Sequence, residues 1–139
     1  MERNEQAYND LWQPFLGRPF KSHGDPRIRV TLDQKNVFYL NKAAYTALGE
    51  VKAVEFMFSD RLRAIGVRPS DLSQESSFPI KHRKKNGLTY GYCIHAAAFM
   101  QHHNLRTDRM VQFNKITLMA DGMMNLPLTY LTRISKGAK

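Results

Sequence analysis

The apolar residues of this chain lie in short alternating runs, and a polar turn sequence separates most of these runs from the next. Ile28, Val30 and Leu32 form the first run, and the polar DQKN at 33–36 separates it from VFYL at 37–40. Alternation with a period of two places apolar side chains on one face of a strand, and a short polar separator indicates a hairpin. The chain is therefore predicted to be mainly β, with short strands and short helices.

A β-β-α-β-β unit is predicted over residues 27–70. After the first hairpin, Asn41 is a good N-cap for KAAYTAL, and Gly49 stands where a helix of this length would end in a left-handed residue. AVEFMF and LRAIGV then flank the polar turn SDR, which indicates a second hairpin, and Pro69 closes its last strand.

The same order recurs over residues 78–131, after a polar linker, DLSQESS, at 71–77. FPIKH, the turn RKKNG and LTYGYCI predict a hairpin, in which Asn86-Gly87 is a strong type I′ turn signal. A helix, AAAFMQHH, is expected to begin after His95 as its cap, and the turn ADG joins the last two strands, MVQFNKITLM and MMNLPLTYL. One face of the LTYGYCI strand is expected to carry its large apolar residues, namely Leu88, Tyr90, Tyr92 and Ile94.

The two units align without gaps through their middles. YLNKAAYTA at 39–47 lies over CIHAAAFMQ at 93–101, so that Leu40 matches Ile94. Repetition of one supersecondary order indicates an internal duplication. We expect the two units to share one core, because domains of about 45 residues seldom hold together alone.

Outside the two units, an arm and a tail are predicted. Residues 1–26 are expected to be an N-terminal arm, with a helix over 2–16 and an irregular connection over 17–26, and residues 132–139 a basic tail. The arm contains apolar residues at the spacing of an amphipathic helix, namely Tyr8, Leu11, Trp12 and Phe15. A short helix is marginal by itself, so we expect the arm to order only against the rest of the chain or a partner.

Positive charge is concentrated in the second part of the chain. The 139 residues carry a formal net charge of +9. Residues 1–75 hold 11 Lys and Arg against 10 Asp and Glu, whereas residues 76–139 hold 10 against only Asp108 and Asp121. Concentrated positive charge indicates a polyanionic partner, in preference to a basic surface that serves solubility alone.

The most informative local motif is KHRKKNG at 81–87, at the tip of the predicted hairpin. It contains His82 and four certain cations, which are Lys81, Arg83, Lys84 and Lys85. Phosphates would relieve the repulsion among these cations, and a two-stranded ribbon is narrow enough to enter the major groove of DNA. The alternative interpretation is a solvated hairpin whose lysines prevent aggregation. We favour phosphate binding.

Motifs for catalysis, metal binding and membrane insertion are not found in the sequence. Cys93 is the only cysteine, which excludes an internal disulfide and a cysteine metal cage. His95, His102 and His103 do not have the i, i+4 spacing that lets two imidazoles share a zinc ion. The chain has no apolar run long enough to cross a membrane, and its N-terminus lacks the pattern of a signal peptide. We therefore expect a non-enzymatic protein of the reducing cytoplasm that needs no metal or cofactor.

The order of elements in the first unit resembles the AbrB and MazE type of swapped-hairpin domain, a SpoVT-AbrB-like fold. NVFYLNKAAYTALG followed by AVEFMFSDRLRAIGV carries this resemblance, which covers residues 27–69 well and 78–131 weakly. In that family two such units interlock into one barrel, usually from two chains, and tandem copies occur in MraZ-type regulators. The resemblance implies a swapped-hairpin barrel, formed either within one chain or in a homodimer that exchanges hairpins.

Members of that family are commonly transcription regulators or the DNA-binding antitoxin of a toxin–antitoxin pair, and arginines of the first hairpin and early helix make their DNA contacts. This chain departs from that pattern, with Asn36-Val37 in place of a Gly-Arg pair and with Tyr45 and Thr46 on the helix. The family's contact set therefore does not carry over intact.

Two functions are consistent with the sequence. The first is a DNA-binding transcription regulator, in which the cations of both units contact double-stranded DNA: Arg29, Lys35, Lys42, Lys81, Arg83, Lys84 and Lys85. The second is a protein-interaction module, such as an antitoxin or a phage-like inhibitor, that binds an acidic protein. Its aromatic arm would then supply the anchors Trp12, Phe15 and Phe20, because aromatic residues dominate such interfaces.

Overall fold

A computed structural model describes residues 27–134, which form eleven short strands and two short helices. The first segment contains β1 (Val30–Leu32), β2 (Val37–Leu40), α1 (Lys42–Ala47), β3 (Ala53–Ser59) and β4 (Ala64–Ser70). The second contains β5 (Phe78–Pro79), β6 (Lys81–Lys85), β7 (Leu88–His95), α2 (Ala97–His102), β8 (Met110–Phe113), β9 (Thr117–Leu118), β10 (Met124–Pro127) and β11 (Leu131–Ile134). The prediction of a mainly β chain is confirmed. Within residues 27–134, neither helix has the length and apolar character needed to span a membrane.

The strands form two antiparallel sheets, and each sheet contains strands of both segments. The first sheet has the order β11-β8-β1-β2-β7-β6, and the second has the order β5-β3-β4-β10-β9. In the first sheet Phe38 of β2 lies opposite Ile94 of β7, and in the second Ile65 of β4 lies opposite Leu126 of β10. Across residues 27–134 the two sheets remain separate and do not close into a barrel.

One hydrophobic core joins the two segments. Phe38 of β2 is almost fully buried, and its ring centroid lies 5.0 Å from that of Phe56 in β3 and 6.2 Å from that of Phe113 in β8. The Phe56 ring also stacks on Phe99 of α2. These contacts connect both sheets and a helix, so the two segments contribute to one shared core.

The first segment follows the sequence prediction closely. The Asn41 side chain accepts hydrogen bonds from the backbone N–H groups of Ala44 and Arg29, so it caps α1 and also ties the helix to β1. Gly49 has a φ of +85°, as expected of a left-handed residue after a helix. The buried Asp33 holds the β1–β2 turn, where it accepts from the N–H groups of Lys35 and Val37.

The second segment differs from its prediction in the middle and at its C-terminal end. His95 does not cap α2, because its backbone is extended opposite Val37 in the β2–β7 ladder, and Ala96 occupies the N-cap position. The turn ADG does join two paired strands, β9 and β10, but β10 then pairs with β4 rather than with β8. β11 returns to pair with β8, so residues 132–134, predicted to belong to a tail, are part of a strand.

Candidate nucleic-acid interface

β6 and β7 form a two-stranded hairpin that extends beyond the rest of its sheet. Asn86 and Gly87 have φ values of 54° and 79°, which confirms the type I′ turn. Because two residues complete this turn, the cations predicted to lie in it are instead part of strand β6. β2 pairs with β7 only from Tyr92 onward, and every residue from Lys84 to Tyr90 is exposed. We call residues 81–91 the basic ribbon.

A β-bulge at Tyr90 changes which side chains share a face of the basic ribbon. Arg83 lies opposite Gly91, but Lys84 lies opposite Thr89, so Tyr90 is an extra residue in β7. Beyond the bulge Leu88 lies opposite Lys85 and therefore on the same face as Arg83. The predicted apolar face of β7 is wrong at this point. Of the four residues predicted to share this face, Tyr92 and Ile94 are buried, whereas Leu88 and Tyr90 are exposed.

Two tyrosine rings hold the guanidinium group of Arg83. Its central carbon lies 4.6 Å from the ring centroid of Tyr39 and 4.9 Å from that of Tyr90. The Arg83 side chain reaches Tyr39 on β2 by passing over Gly91 of β7, the strand between them. A side chain at position 91 would place its Cβ atom 3.8 Å from the Cδ of Arg83. Cation–π contacts of this kind contribute about 0.5–1 kcal/mol each at exposed sites. Arg83 is thus ordered before any ligand arrives.

Tyr39 is itself fixed by Asp33. The Tyr39 hydroxyl donates a hydrogen bond of 2.9 Å to the Asp33 carboxylate. Burial raises the pKa of Tyr39, and the bond to Asp33 raises it further, so the phenol remains a hydrogen-bond donor over a wider pH range than a free tyrosine. A chain of contacts therefore runs from the β1–β2 turn through Tyr39 to Arg83.

The opposite face of the basic ribbon packs on α1. His82 contacts the rings of Tyr92 and Tyr45, whose centroids are 4.9 and 5.5 Å from its own. Lys42 also lies beside the Tyr45 ring, and its amino group is 3.4 Å from a carboxylate oxygen of Glu50. A hydrogen bond from Thr46 and the charge of Lys42 lower the pKa of Glu50, which keeps this ion pair charged at neutral pH.

The structure brings four of the seven predicted DNA-contacting cations together. These four are Lys81, Arg83, Lys84 and Lys85, and none of them forms an ion pair within residues 27–134. The other three are not part of this cluster: Lys42 lies on α1, behind the opposite face of the ribbon, and is paired with Glu50, and Arg29, which directly precedes β1, donates to Gln112. Lys35 is in the β1–β2 turn at the far end of the sheet. Measured along β7, the positions beside Lys85 and Lys35 are seven residues apart, which corresponds to a distance of roughly 23 Å.

Sequence reasoning missed Tyr39, Tyr90, Gly91 and Asp33 as parts of this site. A glycine inside an alternating strand does indicate a bulge or a close approach of another group, so Gly91 carried a usable signal. Tyr39 and Asp33 carried none, because the role of Tyr39 depends on Arg83, 44 residues later in the chain, and the role of Asp33 depends on its hydrogen bond from Tyr39.

The remaining candidate groups are not part of the basic ribbon, although Cys93 is paired with Lys81 in the β6–β7 ladder. A groove of about 530 Å³ is lined by Arg27, Ile28, Arg29, Gln112, Phe113, Asn114 and Ile116. Cys93 is buried, and the described part of the chain contains no cluster of three or more metal-ligating residues. The predicted partner anchors Trp12, Phe15 and Phe20 lie outside the described residues.

Comparison with known proteins identifies no relative. No protein-family model, no curated protein and no solved structure matches this chain. The functional proposal therefore depends on the geometry and charge of the basic ribbon.

Proposed function

We propose that this chain binds double-stranded DNA through the basic ribbon and acts as a transcription regulator. The observation that carries the proposal is an exposed, projecting hairpin with four cations and no acidic residue near them in the sequence. Between Glu75 and Asp108 the chain contains no aspartate or glutamate at all. Lysines and arginines arranged in this way neutralise phosphates and release the counterions that surround DNA.

The shape of the basic ribbon suits a groove of the duplex. Two paired strands are about 4.8 Å apart, so the hairpin is narrow, and its exposed part can approach phosphates on both sides. Lys84 and Lys85 near the tip are flexible cations that can follow the backbone. Arg83 is held in advance by Tyr39 and Tyr90, which reduces the entropy lost when it pairs with a phosphate.

The regulatory role follows from the resemblance to AbrB and MazE proteins, and strand pairing supports that resemblance. We propose that the two segments are duplicated units with interleaved hairpins, as in the swapped-hairpin family. If the two segments are copies, β2 corresponds to β7 and β4 to β10, and the strands of each pair lie side by side. β1 also pairs with β8, and β5, which leads into β6, pairs with β3. Two copies related by an approximate twofold axis would pair in this manner.

Replacing Arg83, Lys84 and Lys85 by alanine tests the proposal. If each neutralises one phosphate, the plot of log K against log salt concentration should become shallower by roughly 2 to 3 units. Binding should weaken similarly for any duplex sequence, because phosphate contacts carry no sequence information directly. Fluorescence anisotropy with two unrelated duplexes, between about 50 and about 200 mM salt, measures both effects.

The matched control replaces three exposed arginines outside the basic ribbon, namely Arg61, Arg106 and Arg109. This variant has the same net charge as the first, and its slope should change by less than about 1 unit. Equal slopes for the two variants would show that overall charge, rather than the ribbon, attracts the DNA. If the unaltered protein binds duplex DNA without salt dependence, or does not bind it, the proposal fails.

A further inference from the structure

The tip of the basic ribbon carries a large apolar side chain. Leu88 directly follows the Asn86-Gly87 turn and is 74% exposed, although residues 91–94 of the same strand are buried. A single exposed leucine is ordinary in itself. The position of Leu88 is distinctive, because the bulge at Tyr90 places it on the ribbon face that carries Arg83 and Lys85.

Leu88 is surrounded by cations and solvent rather than by the apolar residues of a core. Lys85 lies directly opposite it, and Lys84 is one residue further back, so a leucine at this tip has cations on the adjoining strand. Tyr90, 59% exposed, lies two residues further along, against the Arg83 guanidinium. Cations placed in this way can hold the phosphates that flank a base step, while an apolar residue between them contacts the step itself.

We propose that Leu88 inserts between adjacent base pairs as a wedge, and that the preferred ligand is therefore duplex DNA that is kinked or already unstacked. This inference rests on the proposed function of the basic ribbon. Insertion of an apolar side chain from the minor groove unstacks a step and bends the duplex, which also widens the groove for a two-stranded ribbon. A nick removes part of the unstacking cost before the protein binds, so nicked DNA should bind more tightly.

The test compares an intact duplex with one of the same sequence that carries a central nick. The unaltered protein should bind the nicked duplex at least about tenfold more tightly, because unstacking is the main cost that the nick relieves. It should also bring fluorophores at the two ends of the intact duplex closer together. Leu88→Ala should lose the preference and the bend while it keeps the salt dependence, and Leu88→Met should retain all three.

Leu62→Ala is the matched control, because Leu62 is similarly exposed, at 69%, but lies in the β3–β4 turn away from the basic ribbon. It should behave as the unaltered protein does. If the unaltered protein binds both duplexes equally and leaves them straight, the wedge is wrong, although salt-dependent binding would still support the proposed function. If neither duplex is bound with salt dependence, the proposed function fails and the wedge fails with it.

Discussion

Replacing both Lys84 and Lys85 by glutamate is expected to reduce duplex binding by about 10³-fold or more at about 0.1 M salt. Each phosphate contact contributes about 0.9 to the slope of log K against log salt concentration. The loss of one contact therefore lowers the affinity nearly tenfold at that salt concentration. Glutamate removes an attraction and adds a repulsion, so two reversals act like the loss of about four contacts. Anisotropy titration with a labelled duplex measures the loss.

Folding should be nearly unaffected by this double reversal. Both lysines are exposed and unpaired with acids in the described structure, and such surface charges change unfolding free energies by about 0.5 kcal/mol or less. Arg106→Glu with Arg109→Glu changes the net charge equally at a distant surface and should cost about tenfold at most. An affinity loss as large in this second variant would contradict a localised site.

Phe38→Ala is expected to lower the free energy of unfolding by about 3–5 kcal/mol. Its ring contacts Phe56 of one sheet and Phe113 of the other, so truncation leaves a cavity where the two segments meet. Urea denaturation followed by circular dichroism measures the loss. The transition should remain single, because one shared core unfolds cooperatively.

Phe58→Ala provides the comparison for this core position. Phe58 is only partly buried, against His103 and Arg63, and so should lose clearly less stability than Phe38. Equal losses at the two positions would contradict the central packing of Phe38. Two separate unfolding transitions in the unaltered protein would contradict the shared core.

Local features of this fold could be predicted from the sequence because local interactions determine them. The cap at Asn41, the left-handed Gly49 and the Asn86-Gly87 turn each depend on a few adjacent residues, and all three are present. Alternation likewise located most strands. Pairing between strands of different hairpins could not be predicted, because the pairing of β2 with β7 joins residues more than 50 positions apart.

The candidate site shows the same division. Composition and spacing identified the cluster Lys81 to Lys85, since a run of cations is visible in the sequence alone. The placement of these side chains depends on the bulge at Tyr90, which shifts the period-two pattern by one residue and turns Leu88 to the other face. The only sign of such a shift in the sequence is a glycine inside the strand, and the alternation alone predicts the wrong face for Leu88.

The most direct test of the central claim is a titration of the ¹⁵N-labelled protein with a short duplex, followed by amide chemical shifts. The largest changes are expected in the basic ribbon, from Lys81 to Gly91, and should diminish as salt is added. Changes concentrated instead in the groove near Ile28 and Gln112, or the absence of any change at low salt, would contradict the assignment of the basic ribbon as the DNA-binding site.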